Sequence, residues 1–228
     1  MAACGKKVET ECLNDRCKLQ IHSSMLVVGP SMSGKSHFTK KLIKNRDSIF
    51  HPPKITKILY CYLQWQTIYT EMENEIENIE FYKGIPDENY VDAFTENSEC
   101  MLIFDDLQEQ IYSSLFVSSF FLINCHHKHL TLISICQNLF PKGQYARSIL
   151  LNACYVCLFA NPKDQLQYML LGSRMFPGKS DCWKSILKDV FSEQFNYLFI
   201  DAHPRQDEKW RLRSKIFNTE ESVVIYRM

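Results

Sequence analysis

Glycine and proline are scarce in this chain of 228 residues: 7 Gly and 8 Pro are scattered so thinly that no Gly/Ser linker, low-complexity tract or internal repeat can be found. That excludes a repeat array, and the length suits one well-buried domain rather than two. Long apolar runs are missing as well. None reaches the roughly 18 residues of a membrane span, and the richest stretches, Ser114–Cys125 and Ile149–Ala160, are broken by Ser or Asn. The first residues lack the charged-then-apolar layout of a signal peptide, so an intracellular, non-secreted chain with no membrane partner is expected. An excess of one charge is absent too. The 26 basic and 26 acidic side chains balance to zero, which removes the bulk signature of a monomeric nucleic-acid binder. A second C-x-x-C to complete a zinc ribbon is also lacking. Cys154 and Cys157 lie in an apolar, strand-like run, while Cys4, Cys12 and Cys17 fall in a polar stretch, so reduced thiols are expected and no metal site beyond Mg²⁺.

What is present is a regular alternation. Residues 1–20 read as a polar N-terminal arm of loose pattern, and 21–228 as a single domain in which short apolar runs alternate with longer helical patterns. This is the signature of a parallel sheet wrapped by helices. Strands are expected at Ser24–Val28, Ile55–Leu63, Met101–Asp105, Leu130–Cys136, Cys154–Phe159 and, as an edge, Tyr197–Asp201, with a short extra one near Glu80–Tyr82. Helices are expected at about Lys35–Lys44, Trp65–Glu75, Gln108–His126, Lys163–Met175 and Asp181–Phe191. The acidic run Glu71, Glu73, Glu75 and Glu77 reads as a solvated helix face.

Gly29-Pro30-Ser31-Met32-Ser33-Gly34-Lys35-Ser36 matches G-x-x-x-x-G-K-[ST] in full. The glycines let the backbone curl so that successive N–H groups face one centre at a helix N-terminus, which is an anion nest. Lys35 supplies a compact charge for the β- and γ-phosphates, and the Ser36 hydroxyl is a hard oxygen ligand for Mg²⁺. An apolar strand enters the motif and an amphipathic helix leaves it, the context that nucleotide binding requires. Met101-Leu102-Ile103-Phe104-Asp105-Asp106 is a second strand, and it delivers two carboxylates to the carboxyl edge, where ligands bind in α/β folds. Asp105 is expected on Mg²⁺ and Asp106 on the attacking water, the alternative for Asp106 being a helix cap. The strand Leu130–Cys136 ends in Gln137, an amide able to sense a γ-phosphate or orient water.

A cation is needed to complete the charge stabilisation. Arg147 is the first candidate finger, Arg174 the second, with Arg211 and Arg213 behind. His126-His127-Lys128-His129 has a metal-like composition, but a helix C-terminus favours positive charge and no completing ligands stand nearby in the sequence. Trp65 and Tyr69 read as packing residues, and Gln64 as a strand-tip residue within reach of Asp106. Lys142 and Lys128 are candidate DNA contacts.

Taken together, GPSMSGKS, the Tyr62–Tyr69 stretch with Trp65-Gln66, IFDDL, His126-His127, ISICQNLFPKGQYARSILLNA, NPKDQ and the closing YLFID with WRLRSKIF resemble a known family. The resemblance covers about Ser24–Phe217 and is to the FtsK/HerA-type DNA-packaging ATPases of double-stranded DNA viruses, in particular the Polinton/Maverick and adintovirus group, and more distantly the poxvirus enzymes. It implies an α/β P-loop NTPase of the additional-strand (ASCE) type, with a parallel central sheet flanked by helices. It implies ATP and Mg²⁺ as cofactors, Lys35 and Ser36 on phosphate and metal, Asp105 on metal, Asp106 as catalytic acid, Gln137 as sensor and Arg147 as a finger reaching a neighbouring subunit. It further implies a homo-oligomeric ring, a pentamer or hexamer, that docks on capsid vertex proteins and pumps double-stranded DNA inward, in an infected cell or a virion. Gln64 departs from the pattern, standing where relatives are expected to carry a charged residue. Two other readings fit the residues: a P-loop nucleotide or nucleoside kinase, and a nucleotide-bound scaffold without hydrolysis.

Overall fold

A computed structural model of the chain describes residues 6–10, 15–125, 128–217, 220 and 222–228. Among these, ten strands form one sheet: β1 (Lys6–Thr10), β2 (Ser24–Val28), β3 (Lys57–Tyr62), β4 (Ile79–Lys83), β5 (Cys100–Asp105), β6 (Leu130–Cys136), β7 (Tyr155–Phe159), β8 (Tyr197–Asp201), β9 (Leu212–Ser214) and β10 (Val223–Arg227). The order across the sheet is β1-β10-β9-β8-β7-β2-β6-β5-β3-β4. The six strands from β7 to β4 are mutually parallel, and β8, β9, β10 and β1 add an antiparallel flank.

The central strands are buried from end to end because both faces of the sheet are covered. With a side-chain period of two, Leu26, Val28, Leu102 and Phe104 pack into the core on one face, and Met25, Val27, Met101 and Ile103 into the core on the other. The second face is covered by α1 (Lys35–Lys44) and α3 (Thr67–Glu75), with the short α2 (Arg46–Ile49) between them in the chain. The first face carries α4 (Glu88–Thr95), α5 (Gln108–Ser113), α6 (Leu115–Ser119), α7 (Ala146–Asn152), α8 (Leu166–Met175) and α9 (Ser180–Val190). Helices α8 and α9 meet at Gly172, where an added Cβ would lie 2.3 Å from the Trp183 ring.

Several elements depart from the sequence expectation. The stretch read as a polar arm contributes β1, the edge strand, paired with β10. Tyr197–Asp201 is an interior strand and not an edge, since β9 pairs with its outer side. The single helix expected over Gln108–His126 is broken at Ser114, whose backbone is extended and whose hydroxyl accepts from Val117 N–H to start α6; a π-helical turn, Phe120–Asn124, follows. The reason is local: Ser113 and Ser114 offer the backbone competing hydrogen bonds, as in the Ser113 Oγ donation to the Glu109 carbonyl at 2.7 Å. His126 and His127 lie outside the described residues. The acidic run is not wholly solvated either, because Glu71 and Glu75 pair with Lys40 at 2.8 and 3.0 Å and tie α3 to α1.

Candidate functional site

Strand β6 lies between β2 and β5, so the loop after β2 and the end of β5 reach the same sheet edge one strand apart. Register puts Asp105 level with Ile135, which in turn is level with Val27 just before the Gly-rich loop. That loop starts at Gly29, where a Cβ would lie 2.7 Å from both Phe159 Cβ and Ser33 Oγ, so no larger residue fits. It ends at Gly34, in the left-handed region (φ 101°), on the N-terminus of α1. Lys35 is buried beneath the loop and donates from Nζ to the Pro30 carbonyl at 2.8 Å. Burial pulls its ammonium pKa down, and the charges of Asp106 and Asp105 pull it back up. Ser33 Oγ is buried without a hydrogen-bond partner among the described residues. A backbone nest, an orphaned hydroxyl and a buried ammonium make a donor set that fits phosphate oxygens.

The Ser36 hydroxyl donates to Asp105 Oδ2 at 3.3 Å, so the two hard oxygen groups expected around Mg²⁺ are in contact. Asp105 is 2 % exposed, and its Oδ2 also accepts from Tyr60 at 2.7 Å and Tyr69 at 3.0 Å. The carboxyl pKa is raised, by burial first and by the charge of Asp106, against the opposing pull of the two phenols and Lys35. The phenols themselves are pushed up by burial and stay protonated donors. Tyr60 and Tyr69 are site residues that sequence reasoning missed: in an apolar alternation their hydroxyls carry no signal, and Tyr69 was expected only to pack.

The sign of the Asp105 shift has a measurable consequence. A carboxyl whose folded pKa is raised stabilises the fold below its unfolded pKa, and that contribution is lost as pH rises through the folded value. Wherever it is ionised, Asp105 therefore weakens the nucleotide-free fold. Asp105→Asn is expected to raise Tm near neutral pH, by a margin that shrinks in mild acid. A lower Tm for the variant near neutrality would contradict this account.

Asp106 stands just outside the sheet with φ 56°, exposed, and the helix-cap position of α5 is occupied by Leu107 instead. Asp106, Gln137 and Gln64 line one open cleft of about 1530 Å³ beyond the carboxyl ends of the strands, together with Trp65, Tyr69 and Lys142. Gln137 is held there by its backbone N–H, which donates to Gln108 Oε1 at 3.0 Å. Trp65, expected to pack, is 46 % exposed at the cleft. Phe195 is a further missed residue. It is 60 % exposed on the loop after α9, and a Cβ on Gly34 would lie 3.5 Å from its ring.

The arginine candidates separate. Arg147, in the first turn of α7, is exposed and does not line the cleft. Arg174 is exposed, with its guanidinium 5.0 Å from the centre of the Phe140 ring. Arg213 is fully buried on Asp201 at the opposite, amino edge of the parallel strands, and the half-buried Arg211 donates to the Gln206 carbonyl beside it, so both lie far from this chain's own cleft. Lys128 also sits at that far edge, tied to Asp92 and Glu88, while Lys142 is exposed at the cleft.

The strand order β2-β6-β5, with the Gly-rich loop on β2 and the acidic pair after β5, decides the fold. The fold is that of a P-loop ATPase. No protein-family model matches the chain, and neither does the sequence of any curated protein. Solved structures do. The DNA-packaging ATPase B204 from Sulfolobus turreted icosahedral virus superposes with a TM-score of 0.54 at 12% identity, covering 92% of this chain and 100% of its own. The genome packaging NTPase B204 from Sulfolobus turreted icosahedral virus 2, solved with AMPPCP, gives 0.52 at 12% identity and covers 90% and 98% of the two chains. The architecture is thus shared with viral packaging ATPases over nearly the whole of both chains. No helix among the described residues is long and apolar enough to cross a membrane.

Proposed function

We propose that this protein hydrolyses ATP with Mg²⁺ and uses the free energy to move double-stranded viral DNA into a preformed capsid, as one subunit of a homo-oligomeric ring of five or six. The observation that carries the reading is the meeting of Asp106 and Gln137 in one cleft beside the Lys35–Ser36–Asp105 cluster. A scaffold that only holds nucleotide has no use for an exposed carboxylate and an amide lining one cleft. The fold likeness to viral packaging ATPases, one of them solved with an ATP analogue, supports both the nucleotide and the process.

In this reading the nest Gly29–Ser36 binds the phosphates through backbone N–H groups. Lys35 exchanges its bond to the Pro30 carbonyl for the β- and γ-phosphate oxygens. Ser36 and Asp105 hold Mg²⁺, which neutralises charge on the phosphates when bound, and Tyr60 and Tyr69 keep the Asp105 carboxylate in place. Asp106 accepts a hydrogen bond from the attacking water and Gln137 fixes that water against the γ-phosphate. The P–O bond to the β-phosphate breaks, giving ADP and inorganic phosphate. Arg147 is the cation offered to a neighbouring subunit's γ-phosphate, since it is exposed and lies outside its own cleft. Phe195, an exposed ring against the phosphate loop, offers a surface for the adenine base.

A kinase reading needs an arginine lid over the phosphates. Arg211 and Arg213 are locked at the far edge, and the cleft is lined by Gln64, Asp106, Gln108 and Gln137 rather than by arginines. The test is steady-state ATP hydrolysis with and without double-stranded DNA, alongside Lys35→Ala. Hydrolysis stimulated by DNA, rising faster than linearly with protein concentration and lost in the variant, is the expected result. A folded, ATP-binding protein whose turnover ignores DNA at assembling concentrations defeats the translocase reading and turns attention to phosphoryl acceptors.

A further inference from the structure

We propose that His22, Glu99 and His129 form a second metal site, one that takes a divalent transition ion of the zinc type. They lie at the amino edge of the sheet, opposite the nucleotide cleft, on the segments that precede β2, β5 and β6. These are three adjacent strands, and their other ends carry the phosphate loop, the acidic pair and the sensor amide. No metal is expected from the sequence around His129, where no nearby ligand pattern completes a site; Glu99 and His22 reach it only through the fold.

The donor atoms are already gathered. One atom from each residue lies within 4.8 Å of the others. His22 Nε2 contacts Glu99 Oε2, and His129 Nδ1 lies 3.3 Å from Glu99 Oε1. The two imidazoles meet edge to face with ring centres 5.0 Å apart. Zn²⁺ with ligands at about 2.0–2.2 Å sets tetrahedral donors roughly 3.3–3.6 Å apart, so donors already within 4.8 Å of one another need only small side-chain adjustments to take the ion.

The backbone under the three ligands is cross-linked. Cys100 N–H donates to the His129 carbonyl at 3.1 Å, Leu132 N–H to the Ser23 carbonyl at 2.9 Å, and His22 N–H to Thr131 Oγ1 at 3.1 Å. Two imidazoles and one carboxylate suit Zn²⁺ and its neighbours rather than Mg²⁺, which prefers oxygen. The exposed side of His129 leaves room for a water as fourth ligand. An ion here would clamp the amino ends of β2, β6 and β5 together.

The site is tested on the full chain, stripped with a chelator, by titrating Zn²⁺ against a chromogenic indicator and by following Tm with added Zn²⁺. One equivalent bound with micromolar or tighter affinity is expected, together with a saturable rise in Tm. Both should weaken by at least ~10-fold in His129→Ala and in Glu99→Gln, and not in the control His51→Ala. His129 is 62% exposed, so its loss leaves folding intact. Co²⁺ in place of Zn²⁺ should give visible ligand-field bands without thiolate charge transfer, which separates this site from the ten cysteines. Zn²⁺ binding that persists unchanged in both variants, thiolate bands, or no binding at micromolar concentration would each overturn the proposal. None of these readouts depends on nucleotide hydrolysis.

Discussion

Asp106→Asn is expected to lower ATP turnover by about 10²–10⁴-fold, the range for loss of a positioned acid–base group, while ATP affinity changes by less than about threefold. Asparagine is the informative substitution here. It keeps the size of the side chain and tolerates the left-handed backbone that Asp106 adopts at φ 56°, so the turn survives. What disappears is the negative charge and the capacity to accept from water at both oxygens. The competing account, a helix cap, predicts a different pattern: stability and turnover both close to the parent's, because Asn caps a helix as well as Asp does. Geometry already weighs against the cap, since Leu107 occupies that position and Asp106 lines the cleft with Gln137. Turnover by Asp106→Asn within a factor of about three of the parent protein would remove Asp106 from the chemistry and hand the activation of water to another group. Measuring binding with a fluorescent nucleotide alongside turnover keeps a folding defect from being mistaken for a chemical one.

The legibility of this site follows from where its residues sit. The placement of the phosphate loop, Asp105, Asp106 and Gln137 was readable because each lies at or just past the end of a mostly apolar strand, buried along its length. Such a strand announces its own exit, and three parallel exits converge on one edge. The parallel half of the sheet was readable for the same reason. The antiparallel flank was not: β9 has only three residues, with a buried arginine at its centre, so no apolar period marks it. Without β9, β8 reads as an edge. The break at Ser114 was invisible because a serine inside an apolar helical pattern is usually tolerated, and only the local hydroxyl bonds tip it toward a cap. Tyr60 and Tyr69 escaped because burial of a ring and orientation of a carboxylate are written with the same letter. His22, Glu99 and His129 escaped because three loops at the opposite edge come together only through strand order.

Arg213 shows the same limit from the other side, since its sequence neighbours made it a finger candidate and its surroundings make it a structural anchor. Its guanidinium is 0 % exposed. It donates to Asp201 Oδ2 at 2.6 Å and to the Cys17 carbonyl at 2.6 Å, and lies 5.3 Å from the centre of the Phe199 ring. Asp201, at 2 % exposure, also accepts from Gln206 Nε2 at 2.8 Å. Arg213→Ala would leave that carboxylate charged and without its cation, and breaking a buried pair from one side costs about 3–5 kcal/mol. For a chain of this size each kcal/mol is worth roughly 2–4 °C, so a fall in Tm of about 6–20 °C is expected. Replacing both partners, Arg213→Met with Asp201→Leu, should restore most of the loss, because the desolvation of the pair disappears together with its attraction. A finger behaves differently: its removal spares Tm and lowers turnover by about 10³–10⁵-fold. The single variant, melted and assayed in the same preparation, therefore decides the role. An unchanged Tm with turnover lost would return Arg213 to the chemistry and leave the burial of its pair without a purpose.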